Sequence, residues 1–158
     1  MIKEAPLIDT EKTKVIIYGE PVPQGRPRFV RRGNFVTTYD PPKSVAYKKL
    51  VKLQASAQYK KTPLTGALCV ELLVYRSMPK GGSKALKQRR LSGEDRPITK
   101  PDIDNYFKAV TDALTGIVYE DDNQIVHMSG DKFYTDNPRV ELMITKFKYE
   151  EVDDDELD

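Results

Sequence analysis

Lys100-Pro101-Asp102-Ile103-Asp104-Asn105-Tyr106-Phe107-Lys108-Ala109-Val110-Thr111-Asp112-Ala113-Leu114-Thr115-Gly116 is the stretch on which the reading of this chain turns. At about 100° per residue, Ile103, Phe107, Val110 and Leu114 share one stripe of a helix. Asp104, Lys108 and Asp112, spaced by four, share a neighbouring stripe. The segment is therefore expected to be a helix with core on one side and charge on the other, stopped by Gly116. Tyr119-Glu120-Asp121-Asp122-Asn123-Gln124 comes next, at the start of the following strand. Between Pro101 and Asp122 the chain holds six acidic residues and one lysine.

One aspartate near the start of a helix needs no special account, because Asp102 or Asp104 can cap free backbone N–H groups there. Capping does not absorb all of them. Chain reversal after the helix is expected to return Asp122 beside Asp102 and Asp104. Three converging carboxylates repel unless a cation neutralises them, and hard oxygen ligands without His or Cys favour Mg²⁺, with Mn²⁺ able to substitute. Such a site activates water and stabilises the leaving oxygen of a phosphodiester. Lys108, one turn from Asp104, is placed to orient that water or to offset charge on the phosphate. A calcium loop does not fit, since Tyr106 stands at a ligand position and no Gly follows it. The acid-x-Lys pattern of restriction-type nucleases is also missing from Glu120-Asp121-Asp122 and Asp131-Lys132-Phe133. His127 reads as a strand residue, and Glu71 is left outside the site.

The rest of the chain is charged in blocks. From Pro21 to Lys61 ten Lys or Arg face one acid, and from Arg76 to Lys100 eight face two, giving +9 and +6. Pro101 to Asp122 carries −5, and Glu150 to Asp158 has seven acids and no base, giving −7. A polyanion-binding surface beside an acidic site explains the pattern, with the acidic tail expected to be disordered and to cover the basic face when no ligand is bound. Arg26, Arg28, Arg31 and Arg32 stand among Phe29, Phe35 and Tyr39, pairing guanidinium groups for phosphates with rings able to stack on unpaired bases. Lys87, Arg89, Arg90 and Lys100 form a second set of expected DNA contacts. No apolar run approaches the roughly 20 residues of a membrane span, and the N-terminus lacks a signal-peptide pattern. With one cysteine, Cys69, read as a small buried hydrophobe, a cytoplasmic setting is expected.

At 158 residues one domain is expected. Residues 1–13 read as a loose lead-in. Lys14–Gly19 reads as a strand, and the proline-rich segment Pro21–Phe29 as a loop. Ser44–Tyr59 reads as a helix with one core and one basic face. Ala67–Tyr75 is apolar enough to predict a strand covered on both faces, and Lys80–Pro97 a long basic loop with a helical turn near Ala85–Arg90. Gln124–Tyr134 and Arg139–Tyr149, joined by Thr135-Asp136-Asn137-Pro138, predict an antiparallel hairpin. The expected fold class is α+β, a small mixed sheet packed against helices in the order β-α-β-α-β-β. The domain spans 14–149, with 150–158 as its acidic tail.

Lys100-Pro101-Asp102-Ile103-Asp104-Asn105, Lys108 to Gly116, and Tyr119 to Val126 closely resemble the signature of the RusA family of Holliday junction resolvases. Gly19-Glu20-Pro21-Val22-Pro23-Gln24-Gly25-Arg26-Pro27-Arg28-Phe29 resembles an N-terminal motif of its phage and prophage members. The resemblance implies a homodimeric, Mg²⁺-dependent endonuclease that nicks four-way DNA junctions symmetrically in recombination and repair. It further implies that Asp102, Asp104 and Asp122 bind metal and that Lys108 is catalytic, with Asp121 auxiliary and Asp112 at a further family position. Paired nicks on strands of like polarity call for two sites related by a two-fold axis. Two other readings share these features: a nuclease of other branched DNA, and a DNA-binding module without catalysis.

Overall fold

The computed structural model describes residues 8–147, so the acidic segment 150–158 lies outside the described residues. In chain order the elements are β1 (Ile8–Tyr18), β2 (Arg28–Arg32), β3 (Phe35–Tyr39), α1 (Pro42–Gln58), β4 (Leu68–Ser77), α2 (Lys84–Ser92), α3 (Ile103–Leu114), β5 (Ile125–Thr135) and β6 (Arg139–Phe147). Four strands form a mixed sheet in the order β1-β6-β4-β5, and β2 with β3 forms a separate ribbon. Without that ribbon and α2, the order is the expected β-α-β-α-β-β of an α+β fold. No helix among the described residues is long and apolar enough to cross a membrane.

β4 takes the middle of the sheet because it is the most apolar strand and needs neighbours on both edges. Leu68, Val70, Leu72 and Val74 point to one face and are fully buried. They meet Val15 and Ile17 of β1, Val140, Leu142 and Ile144 of β6, and the inner faces of α1 and α3 in one core. The α1 face repeats at helical spacing through Tyr47, Val51 and Ala55, and a proline at its first turn starts the helix without loss of a bonded N–H. The other face of β4 departs from the expectation of burial on both sides: Glu71 is exposed and Leu73 half-exposed. Tyr75 on that face stacks with Phe133 at 5.1 Å, and Arg139 and Arg96 lie 4.0 Å over the two rings. Aromatic and cation–π contacts replace a second helical layer there.

The expected β5–β6 hairpin does not form. β5 runs parallel to β4, β6 runs antiparallel to it, and β4 lies between them. The turn Asp136–Pro138 therefore crosses the end of β4, held by Met78 N–H to Thr135 O at 3.2 Å and Gly19 N–H to Pro138 O at 3.0 Å. The expected turn is present but the expected pairing is not, because the apolar β4 competes for both neighbours. β1 also begins at Ile8, inside the expected lead-in. The basic loop holds a nine-residue helix, α2, capped by Ser83 Oγ on Leu86 N–H at 3.1 Å and by left-handed Gly93.

The two outer edges of the sheet differ. Backbone groups of Ile16 and Tyr18 on β1 are taken up by Gln58 and Gln54 of α1 in two reciprocal pairs of 2.6–2.9 Å. Amide side chains thus stop that edge from adding another strand. Among the described residues β5 pairs with β4 alone, and no further strand lies on its other edge.

Gly130 of β5 sits where α3 crosses the sheet. An added Cβ would lie 3.1 Å from Ile103 Cδ1 and 3.2 Å from Leu72 O. The isoleucine end can give way, but the strand carbonyl cannot. Gly130→Ala is expected to cost about 1–3 kcal/mol, read as a lower urea midpoint with unchanged slope.

Candidate functional site

The α3 helix buries Tyr106, Ala109, Val110, Thr111, Ala113 and Leu114, while Ile103 and Phe107 flank that face half-buried. The stripe Asp104, Lys108, Asp112 is left facing outward, as its spacing requires. Asp102 occupies the N-cap position, yet its side chain makes no capping hydrogen bond. Helix stability therefore does not account for its exposed carboxylate.

The position of the second acidic cluster is fixed by the turn at the end of α3. Gly116, at φ 80°, reverses the chain, and its N–H donates to Tyr119 O at 2.7 Å. The buried Tyr119 hydroxyl then donates to Thr111 O at 2.6 Å, pinning the turn under the helix. Burial pushes the Tyr119 phenol far above its ordinary range, so it stays a protonated donor. Asp121 caps a short 3₁₀ turn over Asp122–Gln124, accepting from Asn123 N–H at 2.8 Å while its own N–H donates to Gln124 Oε1 at 2.9 Å. Gln124 Nε2 in turn donates to the carbonyls of Leu64 and Gly66, each at 3.0 Å. Asp121 and Gln124 thus act as structural anchors for the residue between them.

That residue, Asp122, is delivered to the C-terminal end of α3, within hydrogen-bonding reach of Asp112. Its carboxyl is held above the ordinary carboxylate range, first by the adjacent Asp112, then by partial burial and by Asp121. Lys48 of α1 lies on the far side of Asp112, with Nζ 3.5 Å from Asp112 Oδ2 and 3.2 Å from Asp40 Oδ2. A groove of about 400 Å³ opens here between α3 and the free side of β5, lined by Phe107, Lys108, Asp112, Asp122, Val126 and Met128 among others. Val126 and Met128 are more than half exposed in it.

Asp122 does not return beside Asp102 and Asp104. Those two stand at the N-terminal end of α3, and eight residues of helix from Asp104 to Asp112 span about 12 Å. The tight Gly116 turn starts β5 at the near end, so β5 runs back along α3 and reaches Ile103 only at Gly130. Among the described residues, no three His, Cys, Asp or Glu side chains are grouped to hold a metal ion. The structure instead pairs Asp122 with Asp112, a residue that the sequence alone places in a supporting role. Asp40 and Lys48, which complete the chain of carboxylates and cation, carry no sequence signal beyond their charge.

Arg26, Arg28, Arg31 and Arg32 are all exposed, the last three on the β2–β3 ribbon. Lys87, Arg89 and Lys100 are exposed as well. Arg90 turns inward: its Nε is 3.1 Å from Asp95 Oδ2 and its guanidinium lies 5.3 Å from the centre of the Tyr134 ring. Its role is to hold α2 against β5, which leaves its helix neighbours outward. The expected loop is present over 21–27, with only Arg28 and Phe29 of it taken into the ribbon, whose strands Arg28–Arg32 and Phe35–Tyr39 flank a two-residue Gly33-Asn34 connection, itself a hairpin signal.

"Uncharacterized protein YqaN" of Bacillus subtilis (strain 168) is 47% identical to this chain over 133 residues, which are 83% of this chain and 94% of that protein. A family model described as Endodeoxyribonuclease RusA matches residues 18–145. The matched span takes in the whole ribbon, all of α3, the acid pair at its end and the groove beside it, so the chain belongs to the RusA endodeoxyribonuclease family.

Proposed function

We propose that this protein is a divalent-metal-dependent endonuclease that resolves four-way DNA junctions by paired nicks, acting as a homodimer whose two-fold partner completes each active site. The observation that carries the reading is the division of one acidic stripe between the two ends of α3. Asp102 and Asp104 lie at one end, the Asp112–Asp122 pair at the other, and Lys108 stands four residues from both Asp104 and Asp112. A two-fold axis at Lys108 sets the partner's α3 antiparallel, with its Asp104 facing Asp112 and Asp122. Edge chemistry supports the same axis, because β1 is stoppered by Gln54 and Gln58 while β5 offers an open edge with Val126 and Met128 beside it.

The donor set supports a hard divalent cation, because every candidate ligand is a carboxylate. Asp102 and Asp104 from one protomer with Asp122 from the other would hold Mg²⁺, or Mn²⁺ in its place. When bound, the ion supplies an acidified water and neutralises charge on the phosphodiester. Lys108, exposed beside the acids, donates to a phosphate oxygen as negative charge builds there. The exposed arginines and lysines of the ribbon and α2 supply the salt-dependent hold on the DNA backbone.

With Mg²⁺, wild-type protein is expected to nick a four-way junction in preference to duplex or flap DNA at one salt concentration. Asp122→Asn and Asp104→Asn should each lower the nicking rate at least ~100-fold while junction binding persists. Equal cleavage of flap and junction would reassign the substrate, and activity surviving either change would remove these residues from the site.

Mixing the two inactive variants tests the shared site directly. An Asp104→Asn protomer paired with an Asp122→Asn protomer retains one intact site per heterodimer, so single nicks should reappear. A mixture as inactive as its components would show that each site lies within one chain.

The raised Asp122 carboxyl also has a thermodynamic sign. Its folded pKa lies above its unfolded value, so in chelator its charge costs stability above the folded pKa and the cost fades as pH falls through it. Metal-free Asp122→Asn should therefore melt higher than wild type at pH 7.5, with the gap closing toward pH 4. A gap independent of pH would mean that Asp112 does not crowd Asp122.

A further inference from the structure

The β2–β3 ribbon is an arm with no core of its own. All ten of its strand residues are exposed, Phe29 at 73% and Phe35 at 78%. The register puts Arg28, Val30, Arg32, Phe35 and Tyr39 on one face and Phe29, Arg31 and Val36 on the other. Each face thus sets guanidinium groups beside apolar or aromatic side chains, and neither face packs on the sheet. An isolated two-stranded ribbon is marginal in water, so the exposed rings are not explained by the folding of this chain.

The arm is rooted firmly at the acidic stripe. Gln24 N–H donates to Asn105 O at 2.9 Å, and Gly25 N–H donates to Ser44 Oγ at 2.9 Å. Gly25 is required there, since a Cβ would come within 2.8 Å of Pro41 Cγ. At the other end of the arm, Asp40 accepts from Gln24 Nε2 at 3.2 Å and shares Lys48 with Asp112. One end of the arm is therefore fixed to the first turn of α3 and to α1, and the other reaches Asp112 through Lys48. Five residues per strand let the tip project roughly 16 Å from that root.

We propose that this arm is a wedge: the Phe35 ring, next to the Gly33-Asn34 turn, stacks on a base unstacked at the crossover of the bound junction, while Arg28, Arg31 and Arg32 grip the flanking phosphates. The inference rests on the junction-nuclease reading above and adds the means by which a branch is told from a duplex. Charge selects the occupant, because residues 21–39 contain four arginines and no acid. A polyanion with exposed π-faces matches both features of the arm, and apolar side chains inserted between bases are an established way to open a stack. A four-way crossover offers bases with one stacking neighbour already lost, so insertion costs least there.

The 158-residue chain contains no tryptophan, so Phe35→Trp places a single indole at the tip. In chelator, binding is read without cleavage on a four-way junction carrying 2-aminopurine at the crossover and on a duplex of the same arm sequence. Wild type should raise 2-aminopurine emission severalfold on the junction and little on the duplex. Phe35→Ala should lose most of that rise and roughly tenfold in junction affinity, while Phe35→Leu, equally apolar but not aromatic, should behave like the alanine variant. The Phe35→Trp indole should be quenched by the junction and not by the duplex. An unchanged 2-aminopurine rise in Phe35→Ala, or equal quenching of the indole by duplex, would overturn the wedge. So would a wild-type dimer turning monomeric in Phe35→Ala, since the arm would then belong to a second copy. Nicking by wild type in Mg²⁺ separates the two levels. If wild type shows no junction preference, the function falls with the wedge; if it nicks junctions and Phe35→Ala opens them equally well, the wedge alone falls.

Discussion

The hydrogen bond from the Tyr119 hydroxyl to the Thr111 carbonyl, at 2.6 Å in the core, sets where the acids lie. It ties the reversal at Gly116 tightly under the last turn of α3, and the strand after it has no choice of direction. β5 must start at the C-terminal end of the helix and run back along it. With the pin in place Asp122 meets Asp112 rather than Asp102 and Asp104, and its carboxyl is raised first by the hydrogen bond with Asp112, then by partial burial and by Asp121. A buried phenol left without its acceptor would cost about 1–3 kcal/mol, so the position of the acid pair is coupled to the stability of the core.

Much of this architecture is legible in the sequence because α3 obeys a strong periodicity. Spacing alone puts Asp104, Lys108 and Asp112 on one exposed stripe, and the structure keeps them there. Periodicity is local, however, and cannot say which end of a helix a later residue approaches. The expected return of Asp122 to the start of α3 fails because the turn geometry at Gly116 and the Tyr119 pin are tertiary facts. The same limit explains the β5–β6 error: Thr135-Asp136-Asn137-Pro138 is the turn its residues predict, but only the competition for β4 decides that its strands do not pair. The β2–β3 ribbon is hidden for a different reason. Prolines at 21, 23 and 27 mark the segment before it as a loop and draw attention from the short strands that follow, whose residues the structure leaves in solvent.

Edges and charges work together in this fold. Gln54 and Gln58 occupy the backbone groups of β1 at one side of the sheet, so association through strand addition is left to β5. β5 is also the wall of the groove that carries Lys108, Asp112 and Asp122. In the proposed dimer, closing the open edge and supplying the missing carboxylates are one event. On that proposal a lone protomer would hold acids without enough ligands to retain a cation.

The proposed wedge would give that arrangement a physical route to selectivity. Metal chemistry on a phosphodiester is indifferent to the shape of the DNA, so discrimination must come from what the substrate does on binding. Asp40 at the base of the arm and Asp112 in the acid pair compete for the same Lys48 ammonium, at 3.2 and 3.5 Å. Gln24, Asp40 and Lys48 bridge the arm root and α3 by direct contacts, so the proposed arm and the acids share one support.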